Sequence, residues 1–138
     1  MKQLLVFPMV VYVFYMVGFA GFMFLSRVRS IRTGKISPKY FKLYSGDTPS
    51  ERLELIAQHY ENQFEVPILF LITCALFLSL NIVNTTTLVL AWIFVVSRGF
   101  HAWIHLGRNN VRQRAAAFIV GWISIFFLWV QLSVFALT

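Results

Sequence analysis

Charge is what this sequence most conspicuously lacks. Only 12% of its 138 residues are Asp, Glu, Lys or Arg, and only five are acidic. A soluble domain carries about 25%. The shortage excludes a soluble domain with an ordinary solvated surface. Cysteine is nearly absent as well. Cys74 is the single one, so no internal disulfide can form, and no set of ligand spacings suggests a metal site. Because Cys74 lies in an apolar run, it is expected to be a small buried residue. There is no Ser/His/Asp set, no Gly-rich phosphate loop, no nucleotide fingerprint, no internal repeat and no low-complexity tail.

What is present is apolar and aromatic: 59% hydrophobic residues, 17% aromatic. They fall into four runs, at about residues 4–26, 60–80, 86–107 and 115–137, each long enough for a helix to cross a hydrocarbon core. Barrel strands would be shorter and alternating. The N-terminal run is too long for the apolar core of a signal peptide and is followed at once by arginines, so it reads as a first span. The fold class predicted for residues 1–138 is all-α, a single integral membrane domain built as a four-helix bundle. The second helix is expected to begin ahead of its span, near Pro49–Ser50, because "SERLE" offers a capping serine followed by acidic residues.

Most of the positive charge behind the net +7 lies in two of the links. The first holds Arg27, Arg29, Arg32, Lys35, Lys39, Lys42 and Arg52, the third Arg108, Arg112 and Arg114, and the second none. The positive-inside rule then places loops one and three in the cytoplasm and both termini outside. Basic residues beside apolar runs point to a membrane surface, so no nucleic-acid partner is expected.

The chemistry concentrates in "SRGFHAWIHLGRNNVRQR", residues 97–114. On a helix, Arg98, His101 and His105 stand at i, i+3 and i+7, on one face within about 60°. Phe94, Phe100 and Trp103 are assigned to the opposite face. A cation at this depth is costly unless it is paired or meets water, so the polar face should look into the bundle or a wet cavity. The competing reading is that these side chains snorkel to the interface. The second span offers a partner in "ENQFEVP", where Asn62 and Glu65 are spaced i, i+3 and Glu65 is the expected ion-pair partner of Arg98. Arg112 and Arg114, at the start of the fourth span, combine forked donors with a helix N-terminus, which suits an anion. Arg27 and Arg29 could line the same edge. A metal held by His101 and His105 is geometrically possible but is not expected. Trp92, Trp103, Trp122 and Trp129 are read as packing and interface anchors, and Gly18 and Gly21 as sites of close helix contact.

Four short spans, a basic first loop, Asn-x-x-Glu ahead of a proline and "RGFHAWIHLGRNNVRQR" together resemble the MAPEG superfamily, membrane-associated proteins in eicosanoid and glutathione metabolism. The likeness is nearest to the microsomal prostaglandin E synthase and microsomal glutathione transferase branch and its bacterial relatives. The resemblance implies a homotrimer with glutathione bound between neighbouring subunits as co-substrate. By motif position it implies that Arg114 stabilises the thiolate, and that Arg27, Arg29, Asn62, Glu65, Arg98, His101, His105 and Arg112 bind glutathione. Glu61 stands where some relatives carry Arg, His105 where many carry Tyr, and Ala115 where the prostaglandin branch carries Ser.

The function expected is a membrane-bound, glutathione-dependent transferase or peroxidase acting on lipophilic electrophiles. The alternative is a non-catalytic membrane protein that binds lipid or a protein partner through the same cleft. An ion pathway fits less well, because the polar residues gather at one edge. The partners expected are membrane lipids, further copies of the chain and lipophilic small molecules. The short loops and the lack of a retention signal suggest a bacterial inner membrane.

Overall fold

In hydrocarbon, backbone N–H and C=O groups must find partners within the segment itself, which leaves long apolar runs little choice but helix. The computed structural model describes residues 2–137, and among them the chain forms six helices and no strand. They are α1 (Lys2–Arg32), α2 (Tyr40–Leu43), α3 (Glu51–Glu61), α4 (Val66–Ser79), α5 (Thr85–Leu106) and α6 (Val111–Leu137). Four stretches are long and apolar enough to cross a membrane: α1, Glu51–Ser79, α5 and α6.

The local chemistry at the ends accounts for most boundaries. Ser50 is the N-cap of α3, its hydroxyl accepting from Leu53 N–H at 3.4 Å, so this helix begins where the "SERLE" signal places it. The second span is not one uninterrupted helix. α3 stops at Glu61 and α4 starts at Val66, with Glu65 between them in a non-helical conformation (φ −96°, ψ −104°). Pro67 explains the break, because it has no N–H and its ring would collide with the carbonyl four residues back, at Gln63. After α4, Asn81 adopts a left-handed conformation (φ 62°), and Ile82 N–H returns to the Phe77 carbonyl at 3.2 Å, closing the helix end. α5 opens on a capping box, with Thr87 N–H donating to Asn84 Oδ1 at 2.9 Å and Asn84 N–H donating to Thr87 Oγ1 at 3.4 Å. Asn84→Ala removes this cap in a link with no charged residue to replace it. We expect a loss of about 1 kcal/mol, read as a lower midpoint in thermal unfolding of the detergent-solubilised protein.

Two helices run past their predicted ends. α1 continues from Ser26 to Arg32, and α6 starts at Val111 rather than near Ala115. Arg27, Arg29, Arg112 and Arg114 therefore stand on helices, where direction is fixed, and not on loops.

The core lies where α1, α4, α5 and α6 meet, around Tyr12, Phe70, Phe77, Phe94, Ile125 and Leu128. Phe70 and Phe94 stack at 4.2 Å with 15° between their planes. α5 and α6 make the most extensive contact, and small residues allow it. A Cβ on Gly121 would lie 3.1 Å from Ser97 Oγ and 3.6 Å from the Phe94 ring, and Ser124 Oγ donates to the Leu90 carbonyl across the same seam. A smaller cluster of Phe19, Met23 and Ile56, with Leu106 packed on it, ties the C-terminal ends of α1 and α5 to α3. This brings both basic clusters to one end of the bundle.

Two expectations are corrected here. Phe94 does not belong to a face opposite Arg98. It is completely buried, four residues before Arg98 on the same inward stripe, whereas Phe100 and Trp103 do face outward. Gly18 and Gly21 mark no close contact within the chain, since a Cβ on either would meet nothing within 4 Å. Cys74 is buried, as its apolar setting suggested.

Candidate functional site

The inward stripe of α5 continues from Phe94 through Arg98, His101 and His105, and all four are buried. Arg98 is only 2% exposed. The expected ion pair with Glu65 does not form within the chain. The Arg98 Nη2 donates instead to the main-chain carbonyl of Asn62 at 3.4 Å, and its Nε and Nη1 are buried without a partner. The break before Pro67 is the reason. It ends α3 at the level of Arg98, which frees the Asn62 carbonyl from the helix ladder and carries Glu65 past it. The guanidinium also lies over the Phe118 ring, 5.7 Å from its centroid.

Next to this arginine is a cavity of about 400 Å³ between α3, α5 and α6. Its polar lining is Gln58, Glu61, Asn62, Glu65, His101, His105 and Arg114, and Phe118 forms the wall shared with Arg98. The structure thus brings Asn62, Glu65, His101, His105 and Arg114 to one place, with Arg98 directly behind. It does not bring Arg112, which is exposed and points elsewhere from the first turn of α6. Arg27 and Arg29 are separated from each other, because two residues along a helix turn the side chain by about 200°. Arg27 lines an adjoining cavity of about 280 Å³ with Phe41, Tyr44 and Glu54, and this cavity shares Gln58 and Glu61 with the first. Its guanidinium lies over both Phe41 (5.3 Å) and Tyr44 (5.9 Å). Arg29 faces a third cavity, on the other side of Leu53.

Arg114 is held in place by the link before it. Asn109 has a left-handed backbone (φ 48°), which asparagine tolerates better than most residues. Its N–H donates to the Ile104 carbonyl at 2.8 Å, and its Oδ1 accepts from Arg114 Nη1 at 2.9 Å. Asn110 Oδ1 accepts from Gln113 N–H at 3.2 Å and so supports the first turn of α6. The approach is tight. A Cβ on Gly107 would lie 2.8 Å from the Trp103 carbonyl oxygen, so only glycine fits where α5 ends.

A buried polar group that the sequence reading did not assemble supports the cavity from behind. His59 is fully buried. Its Nε2 is within hydrogen-bonding distance of Tyr15 Oη (2.5 Å) and of Gln63 Nε2 (2.9 Å), and Tyr12 Oη donates to Gln63 Oε1. The His59 ring stacks on His101 (5.8 Å, 24°) and packs against His105 (5.5 Å). Tyr12 and Tyr15 lie far away on the first helix, so nothing in sequence linked them to span three. The available signal was the i, i+4 spacing of His59 and Gln63 on the face next to Asn62.

Chemically, the cavity joins two carboxylates and one half-buried guanidinium, and a buried guanidinium with unmet donors lies behind its Phe118 wall. That combination suits a small ligand carrying both negative and positive groups. Comparison with curated proteins finds no match. The family model described as "MAPEG family" matches residues 5–134, which take in every residue of this cavity and all but the outer ends of the first and fourth membrane-spanning stretches, and the chain therefore belongs to the MAPEG family.

Proposed function

We propose that the protein is a membrane-bound, glutathione-dependent transferase or peroxidase for lipophilic electrophiles, working as a homotrimer, in keeping with a family that includes glutathione-dependent transferases. The observation that carries this reading is Arg98: a buried guanidinium with two nitrogens lacking any partner, one wall away from a polar cavity. A buried cation is stable only with a counter-charge. Among the described residues no carboxylate pairs with it, and a ligand carboxylate would supply the counter-charge.

The rest of the cavity divides the remaining work. Glu61 and Glu65 can hold an ammonium group, and Asn62 and Gln58 can hold peptide groups. Arg27, through the adjoining cavity, can take a second carboxylate. Glutathione supplies a thiol, and the role left for this chain is to favour the thiolate. Arg114 does so from the first turn of α6. Cations at a helix N-terminus oppose the helix dipole, and this turn has no acidic residue to balance them. They serve the helix poorly and an anion well. His101 and His105 stand where a proton leaving sulfur could be taken up. The lipophilic acceptor would arrive from the bilayer.

Arg114→Ala tests the thiolate role. Titrating the purified protein with glutathione should give thiolate absorbance in the wild type and about tenfold less in the variant, the equivalent of one pKa unit. Equal absorbance in both would reject the assignment. We further propose that the basic end of the bundle faces the cytoplasm of a bacterial inner membrane, with both termini outside.

The second reading, a non-catalytic lipid binder, is favoured by one feature. An apolar groove of about 700 Å³ runs along the outer α5–α6 seam, bounded by Trp92, Val96, Phe100 and Val120. It lies on the far side of that seam from the polar cavity and could hold an acyl chain without any chemistry. Absence of glutathione binding together with an intact trimer would favour it.

A further inference from the structure

The third cavity at the basic end, on the other side of α3, has a character of its own. It measures about 330 Å³ and lies between the last turns of α1 and the start of α3. Arg29, Lys35 and Arg52 line it, and no carboxylate does. Its two neighbours each include Glu61 in their lining. Glu51 precedes Arg52 in the chain but is not part of the cavity wall, and Glu54 belongs to the cavity of Arg27. Three like charges around one hollow repel each other, and nothing within the wall offsets them. The remaining polar wall is made of hydroxyls. Ser30, in the last turn of α1, and Thr33, just past its end, at present donate to the carbonyls of Ser26 (3.0 Å) and Arg29 (2.9 Å), so a modest rotation would turn them toward a guest.

Donors on three sides of a hollow match a tetrahedral oxyanion better than a planar carboxylate, which offers two oxygens in one plane. Forked guanidinium groups make their strongest contacts with phosphate and carboxylate oxygens. One side of the hollow is apolar. Phe22 and Ile56 bound it toward the bilayer, and Phe22 is itself exposed on the outer surface of α1. A headgroup seated among the cations would therefore leave its acyl chain against α1, in hydrocarbon. We infer that this cavity binds a phosphate group, presented by an anionic phospholipid or as the free ion. The inference is independent of glutathione use, since none of the three cations lines the cavity beside Arg98.

The test uses the full-length protein in a neutral detergent, with unfolding temperature recorded against added phosphatidylglycerol, phosphatidylcholine and inorganic phosphate. Phosphatidylglycerol should raise the midpoint. Its apparent affinity should fall about fivefold in Arg29→Gln and again in Arg52→Gln, the effect of one cation near an anionic headgroup, and stay unchanged in Lys39→Gln, which lies outside the cavity. An equal response to inorganic phosphate, with the same dependence on Arg29, identifies the free ion as the ligand and supports the site. A response to phosphatidylglycerol alone identifies the lipid. Should Arg29→Gln fail to fold, Lys35→Gln reads the same cavity. No response to either phosphate source, or a response as large in the variants as in the wild type, overturns the inference.

Discussion

Arg98→Met should leave the protein at least as stable as the wild type and reduce its affinity for glutathione roughly 100-fold. The two halves of this expectation have one origin. Arg98 is 2% exposed and its Nε and Nη1 have no acceptor. A buried charge with unmet donors costs stability, and exchanging it for an unbranched apolar side chain of similar length removes that cost. The methionine would still cover Phe118 and the end of α3. When a ligand carboxylate is present, the arginine gains a charge-assisted contact away from water. Losing one partner of such a pair costs about 2–5 kcal/mol, and 1.4 kcal/mol is a factor of ten. Thermal unfolding with and without glutathione measures both halves in one experiment. A variant that unfolds much more readily while glutathione binding is unchanged would show that Arg98 is a structural cation, paired with a carboxylate of another subunit.

Phe94→Ala should cost about 3–5 kcal/mol, the usual range for deleting a fully buried aromatic ring. The ring stacks on Phe70, meets Tyr12 at 5.8 Å and fills the space beside Gly121. None of these neighbours can close the gap. Phe70 and Tyr12 are held on other helices, and Gly121 has no side chain to extend. The loss should appear as a marked fall in the unfolding midpoint. It should also loosen the polar site, because Arg98 stands one turn further along the same face of α5. A loss below about 1 kcal/mol would mean that the α4–α5 contact repacks freely and that the stack is not what positions α5.

The contrast between these residues shows how far the sequence could be read. Burial of Arg98, His101 and His105 on one face follows from helix periodicity and the cost of charge in hydrocarbon, both local matters. Phe94, four residues before Arg98, belongs to that face by the same periodicity, so its direction was legible in the spacing, and assigning it by bulk with Phe100 and Trp103 missed it. Gly18 and Gly21 are ambiguous, since a small residue permits close contact without requiring it. Arg27 and Arg29 part company because α1 continues through a stretch that composition marks as a link.

What the sequence determined by itself was the all-helical membrane fold, the number of spans, the caps at Ser50 and the basic end of the bundle. These depend on transfer of side chains to hydrocarbon and on hydrogen bonds between near neighbours in the chain. Only the tertiary structure decided that Arg98 meets the Asn62 carbonyl and not Glu65, that His59 joins Tyr15 and Gln63 behind the cavity, and that Arg29 faces a separate hollow. Those outcomes turn on where α3 breaks and how α1 and α5 pack against it. Side chains from distant parts of the chain meet only after the helices have docked, and no pattern within a single helix records the angle at which they do so.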